Sequence, residues 1–150
     1  MRRRVCSERG FSLIETIVAL GLIAGVVLSV AGLFLLGERQ VARGRHQSEA
    51  LAVAQTILEE MNGWSHPALW ERFGLSGSAA TATASTQTNS FAGKWQPMLD
   101  ESLGSAAAEI LLESCDGTNL DVTDAIRVTV RVWWNERAEQ RDVELATVRL

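Results

Sequence analysis

The sequence predicts an α+β fold: one long N-terminal helix packed on a small antiparallel β-sheet of three or four strands. Three observations carry that prediction. Residues Thr16 to Gly37 are 22 consecutive positions without a charge. Beyond them an amphipathic helical pattern continues to Asn62-Gly63. From Ile126 onward the chain alternates apolar and polar residues with a period of two, the signature of half-buried strands.

At about 1.5 Å of rise per helical residue, the uncharged run spans roughly 33 Å, enough to cross a bilayer core of about 30 Å. The leader Met1 to Gly10 carries Arg2, Arg3, Arg4 and Arg9. The positive-inside rule keeps that flank in the cytoplasm and puts the C-terminal region across the membrane. Arg39, Arg43 and Arg45 oppose this from the other flank, but the first flank decides. Ser29-Val30-Ala31 has the small-x-small form of a signal peptidase site, yet the apolar stretch is longer than a signal core and holds Glu15 near its start. A charge at the centre of a membrane helix costs about 2.5–3.5 kcal/mol, so Glu15 is a candidate functional residue. Gly21, Gly25, Ser29 and Gly32 fall on one helical face. Such a stripe lets a second helix approach closely, or reflects the frequency of glycine in membrane helices.

A basic leader ending in Gly10, followed by Phe11-Ser12-Leu13-Ile14-Glu15 and an apolar helix, resembles the N-terminus of type IV pilins and pseudopilins. The resemblance covers roughly residues 8 to 37. It implies cleavage by prepilin peptidase between Gly10 and Phe11, and N-methylation of Phe11. It also implies assembly through the helix, with Glu15 paired to the amine of Phe11 on a neighbouring subunit. That pairing would offset the burial of both charges and set the axial register. The implied partners are the peptidase, other pilin or pseudopilin subunits and an inner-membrane assembly platform. The implied location is a single-pass inner-membrane protein with a periplasmic C-terminal domain, which becomes part of a pseudopilus or pilus. The pattern from Ala50-Leu51-Ala52 to Leu58-Glu59-Glu60-Met61 looks most like V-type minor pilins or I-type type II secretion pseudopilins. Gly32 departs from the proline that many pilins carry there. A rival of another class is a membrane-tethered binding module, an adhesin or DNA-uptake receptor, that never polymerises.

The expected organisation is a cleaved leader (1–10), a transmembrane helix (11–37), its amphipathic continuation (38–63) and a small sheet domain (64–150). The formal charge is −4, and removing the leader's four Arg and one Glu leaves −7. Such acidity disfavours nucleic acid as a partner. Cys6 leaves with the leader, so Cys115 has no disulfide partner; it is expected to be a small buried apolar residue. The lost staple tells against a major pilin. His46 and His66 are the only histidines, and no Gly-rich phosphate loop occurs. No enzyme, cofactor or metal site is therefore expected. Asp116, Asn119, Asp121 and Asp124 match no EF-hand spacing and read as an ordinary turn.

In chain order, the helix is expected from about Phe11 to Asn62, with Leu51, Ala54, Leu58 and Met61 as its buried stripe, widened by Ala50 and Ile57. Gly63 should close it in a left-handed conformation. Trp64, Trp70 and Phe73 surround His66-Pro67, where a short helical turn starts and packs on the long helix. Ser76 to Gly93 is Ser/Thr/Ala/Gly-rich, a surface loop with room for one weak edge strand. Ile110-Leu111-Leu112 with Cys115 suggests the first main strand. Ile126 to Trp134 and Val143 to Thr147 form a hairpin that sets Val132 near Val143, Val130 near Leu145 and Arg131 opposite Glu144. Arg127, Arg131 and Arg149 are expected together on the outer, solvated face.

Membrane-extracted protein should have an intact mass lower by residues 1–10 and higher by one methyl group. A start at Met1 or Gly32 would overturn the processing expectation, the latter in favour of ordinary signal peptidase.

Overall fold

The computed structural model describes residues 12–136 and 139–150. Helix α1 runs Leu13–Asn62, followed by the short helix α2 (Ala68–Glu71) and strand β1 (Thr81–Ser85). A 3-10 turn (Ala92–Trp95) leads directly into α3 (Gln96–Leu103), then β2 (Ala106–Ser114), β3 (Ile126–Glu136) and β4 (Glu139–Arg149). The fold is α+β, with four antiparallel strands in the order β1-β2-β3-β4. Two compact units divide the chain, one ending at Ala42 and one running Arg43–Leu150.

In the first unit α1 is apolar on every side, and its large side chains from Leu13 to Leu36 are exposed. Leu13 is 78% and Leu28 73% exposed. A contiguous apolar surface of that length has no stable place in water, where each buried CH₂ is worth about 0.8 kcal/mol. The helix is long and apolar enough for a single membrane span.

In the second unit α1 buries Ala50, Val53, Ala54, Ile57, Leu58 and Met61. Leu51, expected in this stripe, is 38% exposed, and Val53 is buried in its stead. At about 100° per residue, the face is centred near Ala50, Ile57 and Met61. Leu51 sits a full 100° round from Ala50, whereas Val53 lies only about 60° away on the other side. Ala50 and Ala54 are fully buried.

That cover is one face of the sheet. Even-numbered residues of β2 and β3, from Ala106 through Ile110 and Leu112 to Val128, Val130, Val132 and Trp134, join the helix face in one hydrophobic core. The predicted register holds: Val130 opposes Leu145, Val132 opposes Val143 and Arg131 opposes Glu144. Arg131 nevertheless bonds Asp142, at 2.9 Å, because its long side chain reaches the diagonal neighbour on the same face. Arg127 pairs with Glu113 at 3.3 Å. Exposed pairs of this kind contribute about 0–1 kcal/mol each.

Three expectations need correction. Arg149 does not share the outer face with Arg127 and Arg131. It pairs with buried Ile126, and its guanidinium donates to the carbonyl of Met61 at 2.7 Å. Gly63 does not close α1 with a left-handed turn; positive φ among the described glycines occurs at Gly74, Gly104 and Gly117. The helix ends in tight turns from Gly63 N–H to Glu60 and Trp64 N–H to Met61, with Arg149 supplying a cation for the carbonyl end. Cys115 is exposed, because β2 stops at Ser114 and the next side chain falls outside the sheet. The Ser76–Gly93 loop does yield the edge strand β1, but the 3-10 turn and α3 that follow were not foreseen.

A chain beginning at Glu38 should be soluble and unfold cooperatively. In it Leu58→Ala should cost about 2–5 kcal/mol by chemical denaturation, while Leu51→Ala should cost less than about 1 kcal/mol. Equal losses at the two sites would contradict the orientation of α1 on the sheet.

Candidate functional site

Of the residues singled out in the sequence, Gly10 and Phe11 lie outside the described residues. Glu15 stands in the first turn of α1 and is exposed. Its backbone N–H donates to the Ser12 carbonyl at 2.9 Å. A carboxylate there complements the helix dipole, by about 0.3–1 kcal/mol.

Gly21, Gly25 and Gly32 have open space where a Cβ would stand. Ser29 donates its hydroxyl to the Gly25 carbonyl at 2.8 Å, which satisfies it within the helix. The stripe is thus a smooth strip of backbone with no polar atom demanding a partner.

A second constellation was not read from the sequence. Glu60, at the C-terminal end of α1, receives the ammonium of Lys94 on one carboxylate oxygen and the Trp95 indole N–H at 2.9 Å on the other. Lys94 lies 4.3 Å from the Phe91 ring centre and 4.6 Å from that of Trp95. Trp64 stacks on Trp95 at 6.4 Å and meets Phe73 at 5.8 Å, while Arg72 covers the other ring contact of Trp64 at 4.7 Å. Trp64 and Phe73, expected to pack on the helix, do so within this clasp. It pins the segment after β1 onto the end of α1. The available signal was that Lys94 is the only lysine in the chain, set between Phe91 and Trp95. Its partner, 34 residues away, was not inferable from local pattern.

The Asp116–Asp124 loop is a closed turn. One carboxylate oxygen of Asp116 accepts from the Ser114 hydroxyl (2.6 Å), the Thr118 hydroxyl (2.7 Å) and the Thr118 N–H (3.0 Å). These bonds, that of Ser114 foremost, hold its carboxyl well below the usual range. Asp121 N–H bonds Gly77 at 3.0 Å, where a Cβ would stand 2.7 Å from the Trp70 indole nitrogen. Among the described residues no group of three His, Cys, Asp or Glu is placed to hold a metal.

One pocket of about 240 Å³ lies between α1 and the end of the hairpin where β3 leads into β4, lined by Arg43, Gln47, Trp134, Glu136, Arg141 and Asp142. All six belong to the second compact unit. Trp134 is 4% exposed, and its indole N–H has no acceptor among the described residues.

Comparison with known proteins leaves these sites to be interpreted on their own chemistry: no family model, curated protein or solved structure matches the chain.

The Lys94 bond, opposed by desolvation and aided by Trp95, holds the Glu60 carboxyl below its ordinary value. A depressed carboxyl pKa adds stability above the unfolded pKa, and that stability is lost as pH falls through the folded value. Lys94→Met should therefore lower the denaturation midpoint near neutral pH. It should also flatten the loss between about pH 4.5 and lower pH, because the largest cause of the depressed Glu60 carboxyl is then gone. Parallel acid limbs for wild type and variant would contradict the clasp.

Proposed function

We propose that this chain is a non-enzymatic minor subunit of a type IV pilus or a type II secretion pseudopilus, processed by prepilin peptidase and assembled through its N-terminal helix. The observation that carries the proposal is Glu15, the sole charge between Leu13 and Gly37, near the start of an exposed apolar helix and five residues after Gly10. In the lone subunit the carboxylate sits near the membrane surface, where its cost is small. In a packed filament it lies among apolar helices and needs a cation. Cleavage after Gly10 creates one, the amine of Phe11 on a neighbouring subunit. The same helix continues into the core of the Arg43–Leu150 unit. Packing of the apolar segments would thus array the folded domains around a filament. The small-residue face of Gly21, Gly25, Ser29 and Gly32 supports close helix approach in such a bundle.

Glu15→Ala should block incorporation into filaments while leaving cleavage and membrane insertion intact. The monomer helix becomes more apolar, and the peptidase junction lies upstream. Only assembly loses an ion pair, at about 3–5 kcal/mol through the charge left unpaired, or two decades or more in affinity. Glu15→Asp should be intermediate. The measurement is the amount of this subunit in filament and membrane fractions. Wild-type filament levels of Glu15→Ala would reduce the helix to a plain anchor and favour the tethered binding module.

A further inference from the structure

Two peptide bonds in the chain join an Asn or Asp to a following glycine: Asn62-Gly63 and Asp116-Gly117. In such a pair the glycine nitrogen can attack the preceding side-chain carbonyl carbon, because no Cβ shields the approach. The fold treats the two in opposite ways. Asp116 is locked, with one carboxylate oxygen accepting three hydrogen bonds from Ser114 and Thr118. Those bonds favour the ionised form, and a carboxylate is a poor electrophile. Asn62 carries a neutral amide, is exposed, and makes no side-chain hydrogen bond among the described residues.

The other three asparagines are held. Asn89 donates to the Phe73 carbonyl at 2.8 Å and accepts from the N–H groups of Phe91 and Ala92, each at 3.0 Å. Asn119 precedes Leu120, which is fully buried and donates its N–H to the Ala79 carbonyl at 2.9 Å. Asn135 lies within the β3–β4 ladder, opposite Gln140. Asn62, by contrast, is the last residue of α1, and Gly63 after it is exposed. The Gly63 N–H is restrained by a single bond, 3.2 Å to the Glu60 carbonyl. The terminal bonds of a helix are the first to open.

We infer that Asn62-Gly63 is a self-modification site, at which the chain converts the end of its own long helix by deamidation. The Gly63 nitrogen gives its proton to solvent and bonds to Cγ of Asn62. The Cγ–Nδ2 bond breaks and the amide leaves as ammonia, closing a succinimide ring. Water then opens the ring at either carbonyl. Opening at Cγ leaves aspartate on an unaltered backbone; opening at the main-chain carbonyl routes the backbone through the side chain as isoaspartate. One water is consumed, one ammonia is released, and nothing is oxidised or reduced. Both products put a carboxylate at the C-terminal end of α1, where the helix dipole is already negative. Isoaspartate also lengthens the backbone between Met61 and Trp64, both buried in the core. The Met61 carbonyl accepts from Arg149, and Glu60 holds Lys94. The change thus falls where α1 is fastened to the rest of its domain, and it loosens that joint as the protein ages. Neither membrane insertion nor assembly enters this chemistry.

The test uses the full chain, purified in detergent and incubated at neutral and at mildly alkaline pH. Peptide mass spectrometry maps each site, and isoaspartyl methyltransferase reports isoaspartate. The expected result is a time-dependent exchange of NH₂ for OH at Asn62, faster at the higher pH, with isoaspartate among the products. Asp116, Asn89, Asn119 and Asn135 should stay intact over the same interval. Gly63→Ala should slow conversion by an order of magnitude or more. Its Cβ would meet the Glu60 carbonyl oxygen at an ordinary 3.5 Å, and Gly63 is not among the glycines of positive φ, so that variant should keep the fold. Converted chain should have a lower denaturation midpoint than fresh chain. No conversion at Asn62, or conversion only in denaturant, would overturn the site. Equal rates in wild type and Gly63→Ala would overturn the succinimide route, and an equal rate at Asp116 would overturn selection by the fold. An unchanged midpoint in converted chain would overturn the loosening.

Discussion

A single uninterrupted helix with two different solvents is the constraint on which this molecule depends. Over its first half α1 exposes apolar side chains in every direction; over its second half it presents one apolar face and a polar back. A helix of 50 residues is about 75 Å long, far more than a domain of this size needs. Each half needs its own cover. The sheet supplies it for Ala50 to Met61, and a low-dielectric phase or other helices must supply it for Leu13 to Leu36.

The sheet is equally dependent on the helix. Its inner face is a ladder of Ile, Val, Leu and Trp, and a sheet with one bare apolar face is not stable in water. Two polar fastenings complement the apolar contact. Arg149, near the C-terminus of the chain, closes the carbonyl end of α1, and Lys94 reaches Glu60 from the segment after β1. The final strand and the 3-10 turn are thereby both tied to the last two turns of the helix. The Lys94 tie is exposed and the Arg149 tie part-buried, and each is individually modest. Their effect is on orientation, because an apolar face alone tolerates sliding that hydrogen bonds to particular atoms do not.

Helix-mediated assembly would use the other half of α1 in the same way. Apolar packing between spans is not selective, since lipid tails are as apolar as leucine. A buried ion pair is a poor source of net stability but a good source of register. The single carboxylate of Glu15 therefore suits a role in alignment, with the bulk of association carried by close contact along the small-residue face.

Much of this was legible in the chain because the relevant patterns are local. The 22-residue uncharged run, the helical spacing up to Met61 and the period-two alternation of β3 and β4 each depend on near neighbours. A one-residue slip of β3 would have turned Val128, Val130 and Val132 to solvent, so its register followed from the alternation itself. Tertiary structure decided what depends on distant partners. Leu51 and Val53 are equally apolar, and only the position of the sheet put one at the rim and the other inside. Arg149 looks like any strand arginine until the end of α1 lies beside it. Cys115 is apolar by type, yet it is exposed because β2 stops one residue earlier. For Lys94, Glu60 and the buried indole of Trp134 no local pattern names the surroundings, since what gives each its environment is set across the fold.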